Sequence, residues 1–277
     1  MIQSAMDFPW YAIQLTLGLS LLTCLVVFIC KFHNNRAVAE KVCYYLSWIV
    51  LIYKGFHYYI YCAVLNHDWL QQIPAEISQL TYFICPIAYL SQNKYLRDGG
   101  AFLGIFAGFV QLVASMAAPY TFVKTGLNFV NFTESTIMHF TVLSIGLIQI
   151  TCIFKMKWSR LWSTYGVLLF VILWGVLASF TWRYGTDAEY PDAPANIGFV
   201  QRCVLPEQLT TPWMLEGHNF ILVYLAIFFV YTALVYSISY LAFKNNKQEQ
   251  EKSLYGLGWR EYRKFIKSKS LGSEVKK

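Results

Sequence analysis

A small set of polar side chains interrupts long apolar runs, and these are the residues able to do chemistry. Lys54 and His57 stand three apart within one run, and so on one helical face. Glu76 and Gln79 are also three apart at the start of the next run, with Ser78 between them. Gln111 lies in a fourth run, His139 and Gln149 in a fifth, and His218 opens the last. An ionisable group at membrane depth costs about 2.5–3.5 kcal/mol on insertion scales and is a functional candidate by default. A histidine with a partner hydroxyl or carboxylate is the minimum for acyl transfer or ester hydrolysis. In that chemistry His139 is the general base, Ser78 the nucleophile, and Glu76 or His57 the group that orients the base. Lys54, Gln79, His57 and His218 are then left to bind substrate. A spacing of two sets Ser78 roughly 160° from Glu76 on an ideal helix, so the two serve one site only if the helix start is irregular. Thr81 and Ser135 are further hydroxyls at similar depth.

Each of these residues also has a structural role open to it. Glu76 follows Pro74, and a proline and an acid in a first helical turn are ordinary end chemistry. Lys54 has Glu76 or a backbone carbonyl as an expected partner, and His57 and His218 can pack as hydrogen-bonded core residues. His139 is hardest to absorb this way, because no acid adjoins it in its apolar run.

Seven runs must position these groups: 9–30, 42–64, 77–91, 99–118, 135–154, 164–182 and 219–243. Most hold about 20 residues, the length that crosses a hydrocarbon core of about 30 Å as a helix. Basic residues fall in alternate connections: three in 31–41, two in 92–98, three in 155–163 and ten in 244–277. The opposite set holds only Lys124, Arg183 and Arg202. By the positive-inside rule, the chain is an all-α membrane protein of seven transmembrane helices with its N-terminus outside and its C-terminus cytoplasmic. That orientation collects His57, Glu76, His139 and His218 in the outer half of the bundle. A cleft there lies under the long segment 183–218. Gly99, Gly100, Gly104 and Gly108 give the fourth span a small face for close helix contact.

Composition agrees: 57% hydrophobic, 18% aromatic and 13% charged residues are too apolar for most soluble domains. One transmembrane domain, 1–243, is followed by a basic tail, 244–277. In the tail, Tyr255, Trp259, Tyr262 and Ile266 recur at helical spacing beside Arg260, Arg263, Lys264 and Lys267. A basic amphipathic tail next to a span fits anionic lipid head groups rather than nucleic acid. The seven cysteines show no metal-type spacing, and no metal or cofactor is expected. Cys62 and Cys203 share the outer side, where one disulfide between them is conceivable.

Several short segments together resemble the YwaF-type integral membrane family and the similar eukaryotic TMEM-series ether-phospholipid acyltransferases. They are Ile73-Pro74-Ala75-Glu76-Ile77-Ser78, Gly104 through Pro119, Ile137-Met138-His139-Phe140, and Cys203, Pro206, Pro212-Trp213 and Gly217-His218. The resemblance covers roughly 70–243 and implies a lipid-directed acyl chemistry in which His139 matches the intramembrane histidine. The eukaryotic nucleophilic cysteine aligns with Ala75 and its histidine with Glu76, while the bacterial cysteine aligns with Ser78. The family thiol is therefore absent. The membrane hydrolases of hydroxy-fatty-acid esters, more distantly similar, pair a threonine with a histidine, which implies that a hydroxyl can serve in such a scaffold.

Two functions stay open at this stage. One is a lipid acyltransferase or acyl-ester hydrolase in a bacterial plasma membrane or a eukaryotic endomembrane. The other is a non-catalytic binder or transporter using the same polar cluster for a ligand, ion or proton. A third reading, a seven-helix receptor or retinal protein, is weaker, because the last span has no Schiff-base lysine and no Asn-Pro-x-x-Tyr segment.

Overall fold

The structure, a computed structural model, describes residues 2–32, 36–65, 74, 77–117, 129–182, 186–187, 190–194, 211–216 and 219–243. Five long helices come first: α1 (Ile2–Phe32), α2 (Arg36–Tyr59), α3 (Ile77–Ser91), α4 (Lys94–Ala117) and α5 (Phe129–Ile148). α2 and α5 each run on into a π-helical turn, Ile60–Val64 and Gln149–Ile153. A 3₁₀ turn at Trp158–Arg160 leads into α6 (Leu161–Trp182). A two-stranded hairpin, β1 (Thr186–Asp187) and β2 (Tyr190–Pro194), a single turn α7 (Pro212–Leu215) and a long α8 (Phe220–Ala242) complete the chain order.

Five segments are long and apolar enough to cross a membrane: Phe8–Phe32, Lys94–Met116, Phe129–Ile153, Trp158–Leu177 and Phe220–Ala242. α3 is apolar but has only 15 residues, and its ends are those of the apolar run read from sequence. α8 (Phe220–Ala242) nearly coincides with its run, while the remaining long helices begin earlier than theirs. α2 starts at Arg36, α4 at Lys94 and α5 at Phe129, because helical backbone satisfies its own hydrogen bonds beyond the apolar segment.

The bundle is apolar outside and partly polar inside. Trp10, Leu21, Phe28, Ile52, Phe56, Leu225 and Phe229 project outward, while Thr23, Ser47, Thr136, Ser144 and Gln149 are buried. A helix bundle in lipid has this pattern, since hydrocarbon cannot satisfy polar groups and neighbouring helices can. Thr23 meets Ser144 at 3.0 Å, Gln111 donates to Thr136 at 3.0 Å, and Thr164 meets Tyr236 at 2.9 Å. Cys62 is a free thiol, and Cys203, its conceivable partner, lies outside the described residues.

α4 lies at the centre, and its glycines serve three neighbours rather than one face. A Cβ at Gly99 would strike Val167 of α6, and one at Gly100 would strike Ala88 of α3. At Gly104 it would fall 2.7 Å from the Val142 carbonyl oxygen of α5. Gly146 of α5 reciprocates, with the Ala101 carbonyl oxygen 2.7 Å from a Cβ placed there. Such contacts let backbones approach where packing, rather than a hydrophobic force, holds helices together.

Helix termini of both polarities gather at one end of the bundle, together with the basic residues. Lys31 at the end of α1 donates to the carbonyls of Thr151 and Ala242, at 2.9 and 2.7 Å, joining the ends of α5 and α8. Arg160 before α6 pairs with Asp98 at the start of α4. Tyr89 near the end of α3 donates to the Glu40 carbonyl in α2. This is the basic end. At the opposite end Tyr11 of α1 meets Thr133 of α5, and Trp174 of α6 donates to the Pro74 carbonyl ahead of α3 at 2.7 Å.

Gly146→Ala is expected to lower stability by about 1–3 kcal/mol, because backbone on α4 cannot yield as a flexible side chain does. Gly166→Ala meets nothing within 4 Å and is expected to be neutral or to gain up to about 1 kcal/mol. Thermal unfolding of the two variants in detergent checks the contrast, and equal midpoints would count against the close α4–α5 contact.

Candidate functional site

The second turn of α5 meets the last turns of α2 at the end opposite the basic residues. Lys54 is 8% exposed, and its Nζ lies 2.8 Å from Glu134 Oε1. The His57 Nδ1 is 3.5 Å from the same oxygen, one helical turn further along α2. A lysine in an apolar helix needs a counter-charge, and a carboxylate near 3 Å is the strongest one available. Lys54 thus pairs with Glu134, and Glu76, the partner expected from sequence, lies outside the described residues.

α3 supplies the third wall. The Lys54 ammonium sits 4.9 Å from the Tyr82 ring centre and 5.7 Å from that of Tyr53, so two aromatic rings share its charge. The Tyr82 hydroxyl lies 2.7 Å from His139 Nδ1. That nitrogen is also 2.7 Å from the Ser135 carbonyl oxygen, one turn back on α5. A carbonyl only accepts, so Nδ1 carries the hydrogen and the Tyr82 oxygen shares it. The Nε2 lone pair then faces away from the Ser135 carbonyl, with the Tyr82 hydroxyl 3.4 Å from it. Glu134 and Ser135 are adjacent, so the contacts close a circuit through Lys54, Tyr82 and His139.

Among the sequence candidates, Lys54, His57 and His139 are brought into this network. Ser78 and Gln79 lie half-buried in the first turn of α3, Ser78 one turn before Tyr82. The hydrogen-bonding partners of His139 are Tyr82 and Ser135, the Ser135 hydroxyl standing 3.4 Å from Nδ1, and Ser78 is not one of them. Glu76 and His218 lie outside the described residues, as do Cys203 and the tail 244–277. No metal-ligating group of three or more His, Cys, Asp or Glu occurs among the described residues.

Two members were missed by sequence reasoning. Glu134 falls one residue before the run 135–154, and it counted as loop until α5 proved to start at Phe129. The available signal was Lys54 itself, which calls for an acid at the outer end of a span, and Glu134 is one of the few. Tyr82 gave no signal beyond lying one turn from Ser78.

The network borders a groove of 560 Å³ between α1, α2 and α5. Ile49, Val50, Tyr53, Phe129, Val130, Ile137, Met138 and Thr141 form its apolar walls. Its polar groups are Glu134, Thr133 and Tyr11, the last two hydrogen-bonded to each other. Ile49, Tyr53, Val130 and Ile137 are exposed, so the groove opens sideways on the outer surface of the bundle. Comparison with family models, curated proteins and solved structures finds no match to this chain.

Lys54→Met and Glu134→Gln are each expected to cost about 2–4 kcal/mol, because either leaves the other half of a buried pair uncompensated. The double variant is expected to cost less than the two together by more than about 1 kcal/mol. Unfolding of all four proteins in detergent measures that difference, and strict additivity would mean the pair carries no coupling.

Proposed function

We propose that the chain is a seven-span membrane protein that binds a neutral, single-chain amphiphile from the outer leaflet. The acyl chain lies in the groove between α1, α2 and α5, and the head group hydrogen-bonds to Glu134 beside Thr133 and Tyr11. One observation carries this reading: Glu134 belongs both to the groove wall and to the ion-paired network. The groove is within the roughly 300–1,000 Å³ usual for small-molecule sites and is apolar with few polar groups, as such sites are.

Head-group chemistry follows from the charge balance. Lys54 is already paired, and the group lining the groove is a carboxylate with two hydroxyls near it. A hydroxyl-bearing head can donate to that carboxylate, whereas a free fatty acid would set like charge against it. The proposed membrane frame has the N-terminus outside and the tail 244–277 on the cytoplasmic leaflet, held to anionic head groups. It is supported by the alternating basic connections and by the gathering of Lys31, Arg36, Arg97 and Arg160 with the C-terminal end of α8. In this frame α2 and α3 cross as well, and the groove opens to the outer leaflet.

The acyltransferase or hydrolase reading needs a nucleophile beside His139. Its neighbours are Tyr82 and Ser135, and because Nδ1 already donates to the Ser135 carbonyl it cannot take the proton of the Ser135 hydroxyl 3.4 Å away, which favours binding over acyl transfer.

The test uses purified protein with monooleoylglycerol and oleate as probes, read by native mass spectrometry. Monooleoylglycerol is expected to bind at least tenfold more tightly than oleate. Ile137→Trp, which fills the groove, is expected to weaken it by tenfold or more. Equal binding of the two probes would sink the head-group assignment, and His139-dependent release of oleate would establish the enzyme instead.

A further inference from the structure

At the basic end, three helices begin side by side. Asp98 in the first turns of α4 receives both the Nε and the NH2 group of Arg160, at 2.7 and 3.1 Å, tying α4 to the start of α6. Arg36 in the first turn of α2 donates to Glu40 at 2.7 Å, and Glu40 is fully buried. Arg97 lies among these groups, within electrostatic reach of Asp98, Arg160, Arg36 and Glu40. Among the described residues, three guanidinium groups therefore face two carboxylates, one positive charge in excess.

The excess has an address. Arg97 is only 3% exposed, and its guanidinium stacks on the Phe154 ring at 4.0 Å. Its Nε is buried without a hydrogen-bond partner among the described residues. A guanidinium N–H left unanswered in a buried place is among the more costly arrangements a fold can keep. The helix dipoles set no net sign here, since α2, α4 and α6 start at this end while α1, α3, α5 and α8 finish at it, and the excess is carried by the side chains.

We propose that Arg97, with Arg36 and Arg160 beside it, binds the phosphate of an anionic lipid head group in the leaflet at the basic end. The chemistry fits a phosphate ester: guanidinium groups match its oxygens in pairs, and basic sites between spans take up such head groups. This site is remote from the groove between α1, α2 and α5, and it stands whether or not that groove holds an amphiphile.

The experiment follows thermal unfolding of the full chain in a neutral detergent. The additives are dioctanoyl phosphatidic acid, dioctanoyl phosphatidylcholine or inorganic phosphate. With saturating phosphatidic acid the midpoint is expected to rise by about 5 °C, with little change for phosphatidylcholine. Arg97→Gln is expected to lose the rise. An equal, Arg97-dependent rise with inorganic phosphate supports the same anion site and assigns it to a soluble phosphate. No rise with either anion, or a rise undiminished in Arg97→Gln, overturns the proposal. Should Arg97→Gln not fold, Arg36→Gln carries the test. It removes one of the three positive charges around the anion and is expected to weaken phosphatidic acid about tenfold, and an unchanged affinity overturns the proposal.

Discussion

A lysine ammonium cannot rest in an apolar helix bundle without an anion, and the arrangement of three helices follows from how Lys54 meets that demand. Its partner, Glu134, lies 80 residues away on α5. Pairing at 2.8 Å fixes the last turns of α2 against the second turn of α5. The ammonium also lies over the Tyr82 ring, which draws α3 into the same corner. Tyr82 in turn meets His139, so the position of one charge orients the imidazole two contacts away. Moving any of these helices by a turn, about 5.4 Å, would break several of these contacts at once.

That corner is stable only because the opposite side of α3 and α5 is held by shape. Among helices in lipid, hydrocarbon competes with apolar side chains on equal terms, and association depends on close packing and on polar contacts. α4 provides the close packing. Gly100 meets α3, Gly104 and Gly108 meet α5, and Gly99 meets α6, while Gly146 accepts the α4 backbone from the other side. Buried hydroxyl and amide contacts such as Gln111 with Thr136 and Thr23 with Ser144 then fix rotation about the helix axes. The site thus depends on a central helix that contributes no residue to it.

Much of this was legible in the sequence, and what was not depended on distance along the chain. α3 ends where its apolar run ends, because Ile77–Ser91 has no charged residue to blur the boundary. The glycines of α4 were readable as contact points, but periodicity could not say that they serve three neighbours. Lys54, His57 and His139 were recognisable singly, since an ionisable residue inside an apolar run stands out locally. Glu134 was not, because Asn131, Thr133 and Glu134 look like loop until their partners are known. Thr133 pairs with Tyr11 from 122 residues away, and Glu134 with Lys54. A polar segment is helical here because tertiary contacts answer its polar groups, and local propensity carries no record of them. The tyrosine that links lysine to histidine was hidden for the same reason.

The two polar regions differ in their electrostatics, and the difference decides what each can hold. Around Glu134, one lysine and one titratable histidine share a single carboxylate, so the cluster is balanced with His57 neutral. A balanced cluster can offer oriented hydrogen bonds to a neutral head group without attracting ions. Around Arg97, three arginines stand against Asp98 and Glu40 among the described residues. An unbalanced cluster of that kind favours an anion over any neutral ligand, because only a negative charge recovers the energy lost on burying the guanidinium. Under the proposed orientation the basic end faces the cytoplasmic leaflet, where anionic lipids concentrate, and the balanced end faces outward. The same asymmetry that orients the chain in the membrane therefore matches each end to the lipids it would meet.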